Sequence, residues 1–365
     1  MARTRLGSTL PDFPWNSLEP AKAKASAHPE GIINLSVGSP VDDVDPGIQQ
    51  ALAANAAAPG YPQTIGTPAL RAAIVDSLAR RYRCTGVEGV LPVVGTKEAI
   101  ALLPLLLGVK GAALIPEVAY PTYEVAALIA GATPVRCDDP RTLSEEEAAD
   151  VDLIFINYPS NPTGAVAGIE QLQGIIAWAR EHDVIVASDE CYLGLTWEGE
   201  AFSVLDERVS AGDHAGLLAI HSLSKTSNLA SYRCGFFAGD QELIAELTEV
   251  RKHSGLIMPG PIQAAMVAAL EDDAQEAAQK DRYAGRREDL KAALEGAGFE
   301  IVHSEAGLYL WVTRGEDCWA TVDWFAERGV LVAPGTFYSP SSEKFVRVAM
   351  TTTDELAAAV AGRLK

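Results

Sequence analysis

Short apolar runs recur between residues 91 and 238, separated by segments in which apolar residues have helical spacing. The runs cover residues 91–94, 112–115, 152–156, 184–187, 217–220 and 235–238. Between two of them, Leu172, Ile175 and Ile176 follow the three- and four-residue spacing of a helix. Buried strands that alternate with amphipathic helices predict an α/β fold, with a mostly parallel central sheet and helices on both faces.

Three parts of the chain differ in pattern. Residues 1–40 are rich in proline and predict an arm, with a helix over 17–27, that joins a smaller domain. Residues 41–255 predict a large α/β domain, in which Thr67 and Pro68 mark one helix start. Residues 256–365 predict a small C-terminal α+β domain. Its predicted strands cover 299–302, 308–312, 330–332 and 345–350, before a helix from about residue 353.

Composition narrows the expected partners. The 365 residues carry a net charge of −20, which disfavours nucleic acid and anionic membranes as partners. No apolar stretch reaches the roughly 18 residues of a membrane span, and the first residues lack the apolar segment of a signal peptide. Five scattered cysteines without a CxxC pair predict a cytoplasmic location. The six histidines are isolated from one another, so no metal site is expected.

The segment after the run 217–220 carries four groups suited to one ligand. These are Ser222, Ser224, Lys225 and Arg233. Binding sites in parallel α/β sheets collect where the strands end. A lysine amine can form an imine, while hydroxyls and a guanidinium can hold a phosphate. The segment therefore predicts a Schiff-base site for a phosphorylated cofactor.

Two further strand ends carry groups suited to the same site. Gly95, Thr96 and Lys97 stand where a strand turns into a helix. Exposed amides at such a point favour an anion, although Thr96 alone is more typical of an ordinary helix cap. Tyr120 follows the run 112–115, and its ring can stack on a planar ligand or pack in the core.

Three polar side chains complete the predicted site. Asn161 lies in the segment NYPSNPTG, whose two Pro turns predict a rigid loop presenting an amide, or a simple turn. Asp189 follows the run 184–187, where a carboxylate needs a cation such as a protonated ring nitrogen, or caps the next helix. Arg347 lies inside the run 345–350, where its planar fork suits a carboxylate ligand or an internal salt bridge.

The complete set resembles the fold type I, pyridoxal-phosphate-dependent aminotransferases of classes I and II. The matching residues are Tyr61, Gly95-Thr96-Lys97, Tyr120-Pro121, Asn161-Pro162-Thr163-Gly164, Asp189-Glu190-Cys191-Tyr192, Ser222-x-Ser224-Lys225, Arg233 and Arg347. The segments GSPVD, SKTSNLASYRCGFFAGD and SGLIMPGPIQAA are similar to the bacterial N-succinyldiaminopimelate aminotransferases of lysine biosynthesis. Gly38-Ser39-Pro40 departs from the Gly-Glu-Pro of many relatives, which bears on substrate preference.

The resemblance implies pyridoxal 5′-phosphate as the cofactor. Lys225 then forms the imine and, as a neutral amine, moves the substrate's α-proton. Asp189 pairs with the ring nitrogen, Asn161 and Tyr192 bond the ring oxygen, and Tyr120 stacks on the ring. The implied phosphate ligands are Thr96, Lys97 through its main-chain amide, Ser222, Ser224 and Arg233.

The resemblance also implies a homodimer with active sites at the subunit interface, where Tyr61 reaches the neighbouring subunit's phosphate. Arg347 takes the α-carboxylate of amino acid and 2-oxo acid substrates, beside Asn161 and the Gly38 backbone. The implied reaction moves an amino group between glutamate/2-oxoglutarate and N-succinyl-2-amino-6-oxopimelate/N-succinyl-LL-2,6-diaminopimelate. The candidates for binding its far carboxylates are Lys22, Lys24, Arg251, Lys252 and the arm near Trp15 and Asn16.

Other functions remain open at this point. An aspartate, LL-diaminopimelate or aromatic amino acid aminotransferase, or a lyase on the same fold, needs the same cofactor residues. Ser222-x-x-Lys225 also matches the SxxK pattern of serine acyl-transfer enzymes, but the SDN and KTG elements are absent. The net charge and the lack of a basic helix-turn-helix segment disfavour a cofactor-binding regulator fused to a DNA reader.

Overall fold

The computed structural model describes residues 5–365. Its strands are β1 (Ile33–Asn34), β2 (Gly89–Val94), β3 (Ala112–Ile115), β4 (Thr133–Arg136), β5 (Val151–Asn157), β6 (Ile185–Asp189), β7 (Leu217–Ser222), β8 (Cys234–Gly239), β9 (Glu300–Ile301), β10 (Tyr309–Thr313), β11 (Val330–Leu331), β12 (Ala333–Pro334) and β13 (Phe345–Ala349). Its α-helices are α1 (Glu19–Ser26), α2 (Pro46–Ala54), α3 (Pro68–Tyr82), α4 (Thr96–Leu106), α5 (Thr122–Ala130), α6 (Glu145–Ala148), α7 (Ile169–Glu181), α8 (Glu207–Ser210), α9 (Leu223–Thr226), α10 (Gln241–Ser254), α11 (Gly260–Glu271), α12 (Asp273–Gly296), α13 (Cys318–Glu327) and α14 (Asp354–Arg363). Short 3₁₀ helices cover Leu6–Ser8, Pro14–Leu18, Pro140–Thr142, Gly335–Phe337 and Pro340–Ser342.

The large sheet has seven strands in the order β2-β8-β7-β6-β5-β3-β4. Strand β8 runs antiparallel to both of its neighbours, and the other adjacent pairs are parallel. The mostly parallel sheet predicted from the sequence is confirmed.

Alternate residues of the large sheet face two separate hydrophobic cores. On β5, Ile154 and Ile156 belong to one core, whereas Leu153 and Phe155 belong to the other. The first core includes residues of α3, α7 and α11, and the second includes residues of α4, α5 and α10. Helices therefore cover both faces of the sheet, as predicted.

Local sequence explains where several helices begin. Thr67 caps α3 by accepting a hydrogen bond from the Leu70 amide at 3.2 Å, and Pro68 occupies the first helical position. The helix predicted over 17–27 is shorter, because the proline-containing stretch Pro14–Leu18 forms a 3₁₀ helix before α1. The predicted strands end within two residues of the observed ones, but β1, β4 and β12 were not predicted.

A smaller four-stranded antiparallel sheet has the order β12-β13-β10-β9. Strand β1 of the arm pairs in parallel with β11, which ties the arm to the C-terminal part of the chain. The division into residues 1–40, 41–255 and 256–365 stays a prediction. Buried residues of α11 belong to the core of the large sheet, and this packing favours a boundary after α11.

The topology brings distant segments to one edge of the large sheet. Strands β5, β6 and β7 are parallel, and they end at Asn157, Asp189 and Ser222. Strand β2 ends opposite the start of β8, where Val94 pairs with Cys234. None of the helices described in residues 5–365 is both long enough and apolar enough to cross a membrane.

Candidate active site

Lys225 lies on the short helix that follows β7. Ser222 caps this helix by accepting a 3.1 Å hydrogen bond from the Ser224 amide. The Lys225 ammonium donates to the carbonyl of Gly38 on the arm. Burial lowers the pKa of Lys225, and the nearby guanidinium groups of Arg347 and Arg233 lower it further. The amine is therefore neutral at a lower pH than an ordinary lysine.

Asp189 ends β6 as a buried carboxylate. It accepts hydrogen bonds from the Tyr123 hydroxyl at 2.7 Å and from the Cys191 amide at 3.2 Å. Asn157, its register partner on β5, donates through Nδ2 to the Asp189 carbonyl at 2.9 Å. No Lys, Arg or His among residues 5–365 forms a salt bridge with Asp189, and burial raises the pKa of its carboxyl. The carboxylate is therefore suited to a cationic ligand.

A corner suited to an anion forms where β2 meets the start of β8. Gly95 has a φ of 80° and leads into α4, and a side chain there would collide with the Arg233 guanidinium. Thr96 lies at the amino end of α4, where free amides favour an anion. The pKa of Lys97 is lowered by burial and by Arg233. The register of the two strands thus places hydroxyls, amides and cations together.

Arg347 is a buried arginine without an acidic partner among residues 5–365. It is 2% exposed, and it donates to Asn161 Oδ1 at 2.8 Å and to the Ser36 carbonyl at 2.7 Å. Its Nε has no hydrogen-bond partner within the described chain. Asn157 Oδ1 accepts from the Asn161 amide at 2.8 Å and so fixes the Asn161 loop. A free donor on a buried guanidinium suits a carboxylate ligand.

Two tyrosines predicted for the site face the same space. The Tyr120 ring packs edge-on against Tyr123, with ring centroids 5.8 Å apart, and burial raises the pKa of Tyr120 to about 12. The Tyr192 hydroxyl lies 3.0 Å from the Tyr309 hydroxyl. Burial also raises the pKa of Tyr192 well above its ordinary value. Both hydroxyls are therefore neutral donors at physiological pH.

These groups line one cavity of about 520 Å³. The predicted residues on its wall are Gly38, Thr96, Lys97, Tyr120, Asn161, Asp189, Tyr192, Ser222, Ser224, Lys225, Arg233 and Arg347. Tyr61 is the exception, because it is fully exposed and does not line this cavity. Its predicted contact is with a second subunit, so it remains a prediction.

The four lysine and arginine candidates for the far carboxylates lie in different surroundings. Lys22 lines the cavity and pairs with Glu19 at 3.3 Å. Lys24 lies outside it and pairs with Asp323 at 2.5 Å, and exposed Lys252 pairs with Glu249. Arg251 is fully buried in an ion pair with Glu98. Lys22 is therefore the candidate that the cavity supports, and the arm contributes Trp15 but not Asn16.

Several site residues were missed by the sequence reasoning. Tyr309 contacts Tyr192 and Arg347, Tyr123 holds Asp189, and the Ser36 carbonyl accepts from Arg347. Phe13 of the arm also lines the cavity. Tyr309 lies in a strand that was predicted, and alternation places it on the same face as Trp311. That pattern alone does not say which face meets the site. No cluster of metal-binding side chains occurs within residues 5–365.

Comparison with known proteins identifies the family to which this chain belongs. Residues 30–364 match the family model described as aminotransferase class I and II. The chain belongs to this family. It is an enzyme that transfers amino groups, and its cofactor is pyridoxal 5′-phosphate.

Relatives of this aminotransferase include a probable aminotransferase of Mycobacterium tuberculosis, 56% identical over all of this chain and 87% of its own. The 4-dedimethylamino-4-oxo-anhydrotetracycline transaminase OxyQ of Streptomyces rimosus is 51% identical over 97% of this chain and 99% of its own. Among solved structures, a probable N-succinyldiaminopimelate aminotransferase of Thermus thermophilus is 30% identical. It superposes with a TM-score of 0.84 over 96% of this chain and 99% of its own. These findings confirm the expected fold and family.

The aminotransferase cavity fits pyridoxal phosphate by its own chemistry. Asp189 is a buried carboxylate that lacks a basic partner among the described residues, as a site for a pyridinium nitrogen requires. The corner around Gly95 leaves space only because that residue has no side chain, and Arg233 fills part of it. Lys225 lines the same cavity as Asp189 and Arg233.

Proposed function

We propose that this aminotransferase moves an amino group between glutamate/2-oxoglutarate and N-succinyl-2-amino-6-oxopimelate/N-succinyl-LL-2,6-diaminopimelate, in the diaminopimelate route to lysine. The observation that carries the transamination chemistry is that Lys225, Asp189 and Arg347 face one cavity. The choice of substrate is supported by the likeness to the Thermus thermophilus protein and by the cavity position of Lys22.

Five groups hold the cofactor's phosphate in this proposal: Thr96, Lys97, Ser222, Ser224 and Arg233. Asp189 would hold the ring nitrogen, Asn161 and Tyr192 would hold the ring oxygen, and Tyr120 would contact the ring. When bound, pyridoxal phosphate supplies an aldehyde for amines and a ring that withdraws electrons. Asp189 supports that role because its carboxylate favours a protonated ring nitrogen.

Lys225 acts as the base in this proposal. Its Nζ takes the proton from the substrate's α-carbon and later returns a proton, so the amine must be neutral when it acts. The lowered pKa of Lys225, caused by burial and by Arg347 and Arg233, favours that form. Lys225 would therefore serve both as the amine that attaches the cofactor and as the group that moves the proton.

Arg347 binds the α-carboxylate that all amino donors share, beside Asn161 and the Gly38 backbone. Its guanidinium is already fixed by Asn161 and Ser36, so little ordering is needed when a substrate binds. Lys22 meets the anionic far end of a long donor at the cavity wall.

We also propose a cytoplasmic homodimer with active sites at the interface, in which Tyr61 reaches the phosphate of the neighbouring subunit. The full exposure of Tyr61 on a single chain supports this role, because an unpartnered tyrosine ring is free for such a contact. The five cysteines are all free thiols, which supports a reducing compartment.

A second candidate substrate is a bulky polycyclic ketone. The relative OxyQ is named for such a substrate and is 51% identical to this chain. The rings of Phe13 and Trp15 line the cavity 5.5 Å apart, and such a wall suits an aromatic ligand.

The test is the visible absorbance of the cofactor-loaded protein, with amino donors added one at a time and glutamate formation measured in parallel. A band that disappears with N-succinyl-LL-2,6-diaminopimelate and returns with 2-oxoglutarate, with one glutamate formed per donor, supports the proposal. A response only to aspartate or aromatic donors discards the lysine-pathway substrate, and a response only to LL-diaminopimelate discards the succinylated one. Donor consumption without glutamate formation indicates a lyase.

A further inference from the structure

Tyr309 contacts two groups to which the proposed function gives separate tasks. Strands β10 and β13 are antiparallel, and Tyr309 pairs with Ala349 while Trp311 pairs with Arg347. Residues two apart share a face, so Tyr309 and Arg347 are diagonal neighbours on one side of the small sheet. The Arg347 Cζ lies 3.9 Å from the centroid of the Tyr309 ring. The ring therefore packs against the guanidinium that receives the α-carboxylate.

The other end of Tyr309 reaches the turn that follows β6 of the large sheet. Its hydroxyl lies 3.0 Å from the Tyr192 hydroxyl, and the two rings meet at 71° with centroids 5.7 Å apart. Tyr309 is 3% exposed, so its ring and hydroxyl are held in place by their neighbours. A side chain at residue 38 would collide with the Tyr309 hydroxyl, so Gly38 is required there.

We infer that Tyr309 is a positioning residue that fixes Arg347 through its ring and Tyr192 through its hydroxyl. The inference rests on the proposed function, in which Tyr192 bonds the cofactor's ring oxygen. Each hydroxyl has one hydrogen. If Tyr192 donates to the ring oxygen, the bond between the two tyrosines must be donated by Tyr309. Such a chain of hydrogen bonds polarises Tyr192 and strengthens it as a donor.

The two ends of Tyr309 predict separable effects. A strong donor to the ring oxygen disperses negative charge there, which favours loss of the neighbouring imine proton. Losing the Tyr309 hydroxyl should therefore raise the pH at which the visible band of the cofactor-loaded protein changes. Charged and titratable groups around the two hydroxyls are Lys225, Arg347, Tyr120, Tyr283, Tyr338 and Cys191. None of them is changed by the substitution.

The experiment titrates the visible absorbance of Tyr309→Phe from acid to alkaline pH, beside the unaltered protein. We expect the midpoint to rise by about half a pH unit, a roughly threefold change in proton affinity. Because the ring stays on Arg347, KM for the amino donor should change by less than about twofold. Tyr309→Leu removes the ring as well, and KM should rise by about two- to thirtyfold.

Tyr338→Phe is the matched control. The Tyr338 ring lies 5.1 Å from the same Arg347 Cζ, and its buried hydroxyl has no hydrogen-bond partner among the described residues. Its absorbance midpoint should equal that of the unaltered protein. An unshifted midpoint in a folded Tyr309→Phe, or equal shifts in both variants, overturns the inference. If the unaltered protein shows no visible band with pyridoxal phosphate, the proposed function fails instead.

Discussion

Arg347 Nη1 donates a 2.8 Å hydrogen bond to Asn161 Oδ1 and so joins the small antiparallel sheet to the loop that follows β5. The two residues come from different parts of the fold, and each is held by further contacts: Nη2 of Arg347 bonds the Ser36 carbonyl, and the Asn161 amide bonds Asn157. The carboxylate site is therefore rigid before a substrate arrives, which lowers the entropy lost on binding.

Lys225→Ala should abolish transamination and the absorbance band of the imine between the cofactor and Lys225, because the variant lacks Nζ. The helix that carries residue 225 accepts alanine readily, so the thermal unfolding midpoint of the cofactor-free protein should be preserved. Absorbance spectra, glutamate formation and thermal scans measure the three quantities. Normal turnover in the variant would remove Lys225 from the mechanism.

Arg347→Ala should raise KM for every amino donor, since all of them carry the α-carboxylate. A buried, charge-assisted contact of this kind is worth roughly 2–5 kcal/mol. Arg347→Lys keeps the charge but loses the planar fork, so its KM should fall between those of the alanine variant and the unaltered protein. Steady-state kinetics with two different donors measures this. An unchanged KM in the alanine variant would contradict the assignment.

Lys22→Ala and Lys24→Ala form a matched pair, because both residues lie on α1 and only Lys22 lines the cavity. Lys22→Ala should raise KM for N-succinyl-LL-2,6-diaminopimelate by about two- to fivefold, the range for an exposed charge. It should leave KM for alanine, which has no far carboxylate, unchanged. If both substitutions raise this KM equally, the cause is the loss of one positive charge near the cavity and not a contact between Lys22 and the donor.

Asp273→Asn should lower the stability of the protein more at neutral pH than at acid pH. Hydrogen bonds from Arg80 lower the pKa of Asp273 to about 2, and Arg81 adds to this. The folded-state pKa lies below the ordinary value, so the stabilisation is present above about pH 4 and is lost as the pH falls towards 2. Because the side chains of Asp273 and Arg80 are about half exposed, the effect should stay below about 1 kcal/mol.

Thermal midpoints at pH 7 and pH 3 measure this loss. The variant should have a lower thermal midpoint than the unaltered protein at pH 7, and the difference between the two midpoints should be smaller at pH 3. Asp289→Asn is the control, since Asp289 lies exposed on the same helix and forms no salt bridge within residues 5–365. If the difference in thermal midpoint is the same at both pH values, protonation of Asp273 does not cause the loss of stability.

Much of the fold followed from the sequence because the buried strands of the large sheet are nearly continuous apolar runs. β4 escaped prediction because it is an edge strand that is partly exposed and contains Pro134, so it lacks that pattern. β1 has only two residues and exists through its pairing with β11, almost 300 residues further along the chain. Pairing over that distance leaves no local signal.

The residues of the candidate site also fall into two groups: those that the sequence predicted and those that it did not. Residues at strand ends were predictable because parallel strands bring their carboxyl ends to one edge, which placed Asn161, Asp189 and Lys225 together. Tyr309 and Ser36 were missed because their roles depend on how the small sheet and the arm meet the large sheet. Arg347 was predicted from its chemistry, as a lone guanidinium in an apolar strand.

The bond between Arg347 and Ser36 spans 311 positions of the chain. During translation, the segments that form the cofactor corner leave the ribosome well before the residue that captures the α-carboxylate. A nascent chain that ends before Arg347 would therefore contain most of the residues that bind the cofactor. It would lack the arginine that binds the α-carboxylate of an amino donor. The ability to bind an amino donor therefore arrives late in the synthesis of the chain.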